Sequence, residues 1–150
     1  GNDSKVSLDK FKAYKHFANK VWNISRFILM NTDNEVNLEL KPKLTEKEDD
    51  YLTELNSLVK EITRDLDKFK FYLAGEKIYH YIWHIFADKI IEEEKEAIKN
   101  GSASAQWLVF SILTTCLKLL HPFMPFITEE LWSKLPLKDK KLLIIEQWPK

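Results

Sequence analysis

Apolar positions recur at helical spacing along most of this chain. Leu52, Leu55, Val59, Ile62, Leu66 and Phe69 follow one another at intervals of 3, 4, 3, 4 and 3, a single stripe of an amphipathic helix. Thr45, with Glu48 three residues on, has the form of a capping box that would start it. Ahead of it the pattern predicts a first helix from Leu8 to about Met30, with Ser7 as N-cap and Asp9 in the first turn. The intervening stretch from Asn31 to Lys43, NTDNEVNLELKPK, is polar and rich in turn formers, and reads as a loop.

Phe71 to about Ile98 reads as a third helix, apolar on two stripes: Ala74, Ile78, Ile82 and Ile85, and Tyr79, Trp83, Phe86 and Ile90. A helix apolar on two sides sits centrally in a bundle. Gly75 within it permits close approach of a neighbour, and Asn100-Gly101 ends it. Ser102 or Ser104 then caps a very apolar helix from Gln106 to about His121, which Pro122 stops. Pro125 fits the first turn of a short fifth helix reaching Leu135. Leu142 to Ile145 is β-prone, which predicts an extended strand or strap laid on the bundle. The expected fold is therefore all-α, a bundle of about five helices in a single domain with a short extended C-terminal segment.

Composition agrees and removes other classes. Three Gly and five Pro in 150 residues are too few for the turns of a sandwich or barrel. No apolar stretch is judged to reach the roughly 18–20 residues that span a bilayer, and no signal-peptide pattern opens the chain. Cys116 is the only cysteine, so there is neither an intrachain disulfide nor a thiolate zinc cage, and a cytoplasmic protein is expected. Lys plus Arg (23) balance Asp plus Glu (23), so a polyanion would have to be met by a local patch. Arg26 and Arg64 are the only arginines, a hint that a planar forked donor is needed there.

Such a patch emerges when the first helix is projected at ~100° per residue. Tyr14, Phe17, Ala18, Val21, Trp22, Ile24, Ser25, Ile28 and Leu29 share a broad core-side arc, and the opposite arc holds His16, Asn19, Lys20, Asn23, Arg26, Phe27 and Met30. Two apolar side chains among two amides, a Lys, an Arg and a His is the mixture that recognises single-stranded RNA. Planar groups stack on bases, amides read base edges and cations meet phosphates. The competing reading packs Phe27 and Met30 under the Asn31–Lys43 loop.

Other constellations carry less. His80, His84 and Asp88 lie at i, i+4 and i+8, a spacing that could hold zinc, but no water-activating base accompanies them. Asp88 is expected instead to orient His84 or to bind a neighbouring helix. Glu92-Glu93-Glu94 reads as a solvated face that RNA would avoid, and Cys116 as a small buried hydrophobe. No phosphate loop, nucleophile elbow or paired-carboxylate site can be read, so no catalytic residue, cofactor site or metal site is expected.

Three stretches resemble one family. FANKVWNISRFILMN (17–31) resembles the first helix of the anticodon-binding domain of valyl-tRNA synthetases. LLHPFMPFITEELW (119–132) is similar to a signature of valyl and related class Ia synthetases, and IYHYIWHIFADKIIEEEK takes the place of that family's aromatic helix. The opening Gly1-Asn2-Asp3 and closing Glu146-Gln147-Trp148-Pro149 resemble the domain's edges. The resemblance implies an excised, monomeric piece of a valine–tRNA ligase, lacking the parent's catalytic domain and C-terminal coiled coil. The parent would use ATP and magnesium. The partners would be a valine tRNA, met at its anticodon stem-loop, and the rest of the synthetase chain, with no membrane. Lys20 would then meet a phosphate or base edge, Asn23 read an edge, Arg26 stack or make a forked contact and Phe27 stack, with Asn19 and His16 at the rim. His121 to Pro125, with Glu129, Glu130 and Trp132, would fix a corner between two helices. The linker 31–43 could fold back near that face. The alternatives are the same domain of a leucyl or isoleucyl enzyme, or a helical protein-interaction module using Phe27, Met30 and the tail.

Overall fold

The computed structural model describes residues 2–32, 36–137 and 140–150, with side chains from Leu8 onward. Gly1 and, within the loop, Asp33, Asn34 and Glu35 lie outside the described residues. The described residues form five helical rods and no strand.

The first rod, α1 (Asn2–Met30), starts before the expected Leu8, so Ser7 lies inside it and is not its N-cap. Residues 2–7 contain neither Gly nor Pro to stop the helix, and Asn2, Asp3 and Ser4 suit a helix start themselves. Phe17, Val21, Ile24, Ser25 and Ile28 are buried, while every residue from Leu8 to His16 is exposed, Tyr14 included.

The capping box of α2 (Glu46–Asp67) forms as predicted. The Glu48 N–H donates to Thr45 Oγ1 at 3.1 Å and the Thr45 N–H to Glu48 Oε1 at 2.9 Å. Leu55, Val59 and Ile62 are buried. The stripe stops short of Phe69, which lies beyond the helix end at φ 59° with its ring exposed. There the Lys70 N–H closes on the Asp65 carbonyl and the Phe69 N–H on Leu66, a helix-ending motif that usually recruits glycine.

Residues 71–99 form one continuous rod of three segments: α3 (Phe71–His80), a π-helical segment (Tyr81–Ile91) and α4 (Glu92–Lys99). A buried ladder runs Ala74, Ile78, Ile82, Phe86, Ile90, Glu94 and Ile98 at a strict interval of four, with Tyr81, Ala87 and Ile91 buried beside it; of the two stripes expected, Tyr79 is exposed and Trp83 and Ile85 are half-buried. Steps of four drift by ~40° each on an α-helix, and the wider i→i+5 turns of the π segment bring the ladder back toward one side. Gly101 (φ 80°) ends the rod, its N–H on the Ile98 carbonyl at 3.1 Å.

At the bundle's centre lies α5 (Ala103–Leu120), capped by Ser102, whose Oγ accepts from the Ala105 N–H at 3.3 Å. It is 18 residues long and apolar enough to cross a membrane, which corrects the sequence reading; 67% of it is buried inside the bundle. Cys116 is buried in it, and burial pushes its thiol pKa up. Then α6 (Pro125–Lys134) follows a corner fixed by a 2.8 Å His121 Nδ1–Thr128 Oγ1 hydrogen bond and a 2.8 Å bond from Thr128 Oγ1 to the Met124 carbonyl. Phe123 lies so close to Gly75 that a Cβ there would sit 3.3 Å from its ring.

The β-prone tail makes no strand; it is a strap with one 3₁₀ turn, Leu143–Ile145. The Leu143 and Ile144 N–H groups donate to the Glu129 carboxylate at 2.9 and 3.2 Å, so a side chain satisfies what a strand partner would have. Trp132 Nε1 donates to the Lys141 carbonyl at 2.7 Å, and Trp148 Nε1 to Thr63 Oγ1 at 2.9 Å. Glu129 and Trp132 thus hold the strap, whereas Glu130 is exposed. At the start of the 31–43 loop Asn31 Nδ2 donates to the Phe27 carbonyl at 2.7 Å and Thr32 Oγ1 to that of Ile28 at 3.0 Å, and from Val36 on the loop packs against other elements. Val36 bridges to Leu137, and Trp107 Nε1 donates to the Leu38 carbonyl at 3.2 Å.

Candidate nucleic-acid interface

Burial of one side of α1 leaves the opposite side outward. His16, Asn19, Asn23 and Arg26 are exposed along it, and Lys20 and Phe27 are half-buried at one edge. At 1.5 Å per residue the strip from His16 to Phe27 is about 16 Å long, and core packing on the reverse side fixes its spacing. All six expected residues therefore share one helical surface. Met30 is 69% exposed and is not covered by the loop.

The Lys20–Phe27 edge faces the π segment and α4. Lys20 Nζ lies 3.2 Å from Asp88 Oδ1 and 5.2 Å from the centroid of the Trp83 ring. Trp83 in turn stacks on Phe17 and Tyr79, at centroid distances of 6.5 and 5.8 Å. Lys95 Nζ stands 5.9 Å from the Phe27 ring centre, and Phe27 packs against the core. On this edge one cation is already neutralised and one aromatic face already occupied. Arg26 has no carboxylate within ion-pair distance among the described residues. Its guanidinium has charge left to offer on this strip.

Of its two expected purposes Asp88 serves the second, reaching Lys20 on the neighbouring α1, while His84 Nδ1 stands 3.8 Å away, too far for a hydrogen bond that would orient it. The rings of His80 and His84 are 5.0 Å apart, but no three His, Cys, Asp or Glu side chains converge on a metal position among the described residues. The acidic run is not uniformly solvated. Glu92 pairs with Lys95 and Glu93 with Lys47, but Glu94 is buried, and desolvation followed by the charge of Glu48 raises its pKa.

Sequence reasoning missed Trp83, Lys95 and Lys134 as neighbours of this surface. Each comes from a helix distant in the chain, and no local spacing pairs them with α1.

Comparison with known proteins agrees with this architecture. Residues 48–150 match the family model described as the anticodon-binding domain of tRNA ligase. The chain is 40% identical to a valine–tRNA ligase of Petrotoga mobilis and 41% identical to that of Thermotoga maritima, in each case over 99% of its own length. It is 34% identical to the valine–tRNA ligase of Aquifex aeolicus, again over 99% of its length. It spans only 18%, 17% and 14% of those relatives. With the matched model covering more than half of an all-helical chain, the protein belongs to the family of anticodon-binding domains of tRNA ligases.

Proposed function

We propose that this chain recognises the anticodon stem-loop of a valine tRNA, as one module of a valine–tRNA ligase. The observation that carries the reading is the exposed Asn19–Asn23–Arg26 strip on a core-anchored helix, in a member of an anticodon-binding family. Asn23 reads a base edge, Arg26 stacks or makes a forked contact, and Phe27 offers its uncovered edge to a base. Lys20 shifts from Asp88 to a phosphate, an exchange that an exposed ion pair allows at little cost. Asn19 and His16 form the rim. By this reading the ATP- and magnesium-dependent ligation of valine occurs elsewhere in the synthetase, whose remaining domains are the second partner, and the setting is cytoplasmic translation. The relatives cited above are all valine ligases, which favours valine over the leucyl and isoleucyl alternatives.

The test is a low-salt titration of the chain with a valine-tRNA stem-loop and with the same RNA carrying an altered anticodon. The native loop binds more tightly, its affinity falls steeply with salt, and Arg26→Ala weakens it about tenfold or more without loss of helix content. Equal affinity for the two RNAs, or for the variant, overturns the reading. A salt-insensitive, protein-only partner would favour the interaction-module alternative.

A further inference from the structure

Beside the strip, between α1 and α6, lies a cavity of about 340 Å³. Its walls are apolar: Trp22, Leu29 and Met30 from α1, and Leu131 from α6. Ser25 also lines it, but its hydroxyl is committed to the Val21 carbonyl at 2.9 Å. The charged groups in its lining are Arg26 and Lys134, neither with a carboxylate partner among the described residues. Lys134 stands over the Trp22 indole, 5.7 Å from its centroid.

We infer that this cavity receives one unstacked base of the RNA loop, with Arg26 and Lys134 on the phosphates that flank it. The inference rests on the anticodon-loop reading and deepens it by adding a second, apolar subsite. Three features select the occupant. The volume is at the small end of the range of about 300–1,000 Å³ for small-ligand sites, so it suits one planar ring system. An apolar slot with a purely cationic rim complements a base joined to phosphates, whereas a neutral apolar peptide would strand both charges. The slot is also continuous with the strip, because Arg26 belongs to both. The flexible Lys134 stem lets its ammonium leave the indole for a phosphate while the alkyl chain stays on the wall.

Met30 and Lys134 are exposed, so Met30→Ser and Lys134→Ala preserve the fold. Both are titrated, as the full 150-residue chain, against a valine-tRNA stem-loop and a series in which each loop nucleotide in turn is abasic. Each variant weakens the intact RNA about fivefold or more. For one abasic RNA, Met30→Ser causes no further loss, which identifies the base that enters. Loss of the same size on every abasic RNA means that no base enters and overturns the inference. No effect of either variant while Asn23→Ala still weakens binding overturns it too, and leaves the strip intact. If the RNA ignores Asn23→Ala and Arg26→Ala as well, the anticodon-loop reading itself has failed, and the subsite with it. An oligoglutamate peptide that binds through Met30 and Lys134 as tightly as the stem-loop would assign the cavity to an acidic protein and overturn the subsite.

Discussion

The two edges of the outer face of α1 are made of the same kinds of side chain and differ in what those side chains have left to do. On the Lys20–Phe27 edge the cation is held by Asp88 and the ring is covered by Lys95. On the Arg26–Met30 edge the guanidinium lacks a carboxylate partner among the described residues and the methionine stands in solvent. A charge census of the chain, which comes to zero, conceals this asymmetry. Local pairing, not net charge, decides where a polyanion finds free cations.

The sharpest probe of the difference is Arg26→Lys, which keeps the charge and removes the fork. A drop of about tenfold in stem-loop affinity is expected, measured by fluorescence anisotropy. Affinity within a factor of two of the parent would show that only charge matters. Lys20→Ala comes next and should lose only a fewfold, since its charge is already partly spent on Asp88; a loss equal to that of Arg26→Ala would abolish the distinction between the edges. Asp88→Asn reverses the sign. It frees Lys20 and should strengthen binding about two- to fivefold at low salt, an advantage that fades as salt rises. Weaker binding would mean that Asp88 positions Lys20 and does not hold it back.

The smallest effect is expected behind the Phe27 edge, at Glu94. Its folded-state pKa is raised above the unfolded value, so the folded protein binds the extra proton, and stability falls as pH rises through the window above the ordinary carboxylate pKa. Glu94→Gln should therefore raise Tm at pH 7, with the gain shrinking as pH falls toward about 4.5 and absent below it. A gain independent of pH would point to packing, not ionisation.

What the sequence could disclose depended on the range of the interaction. The two sides of α1 were legible from Phe17 to Met30 because a 3.6-residue period needs no partner to be read. The Thr45–Glu48 cap was legible because both its bonds are local. Phe69 misled because spacing was carried two residues past a helix end that tertiary closure decides. The tail misled because β propensity anticipates a neighbouring strand, and the Glu129 carboxylate took that place. Lys20–Asp88, 68 residues apart, had no local signature. The four-residue ladder through the π segment did have one, and was split into two stripes by assuming ideal α geometry.

One property of α1 bears on how its outer strip is aimed. The helix runs unbroken from Asn2 to Met30, with no Gly or Pro inside it, yet the bundle leaves its side chains from Leu8 to His16 exposed and buries them only from Phe17 onward. A rod without a hinge turns as one body, so a load on its Leu8–Tyr14 stretch is felt from Phe17 to Met30. Leu8 and Asn23 are about 22 Å apart along that rod. Whatever seats the exposed Leu8–Phe11–Tyr14 side steers the His16–Phe27 strip as a tiller steers a rudder.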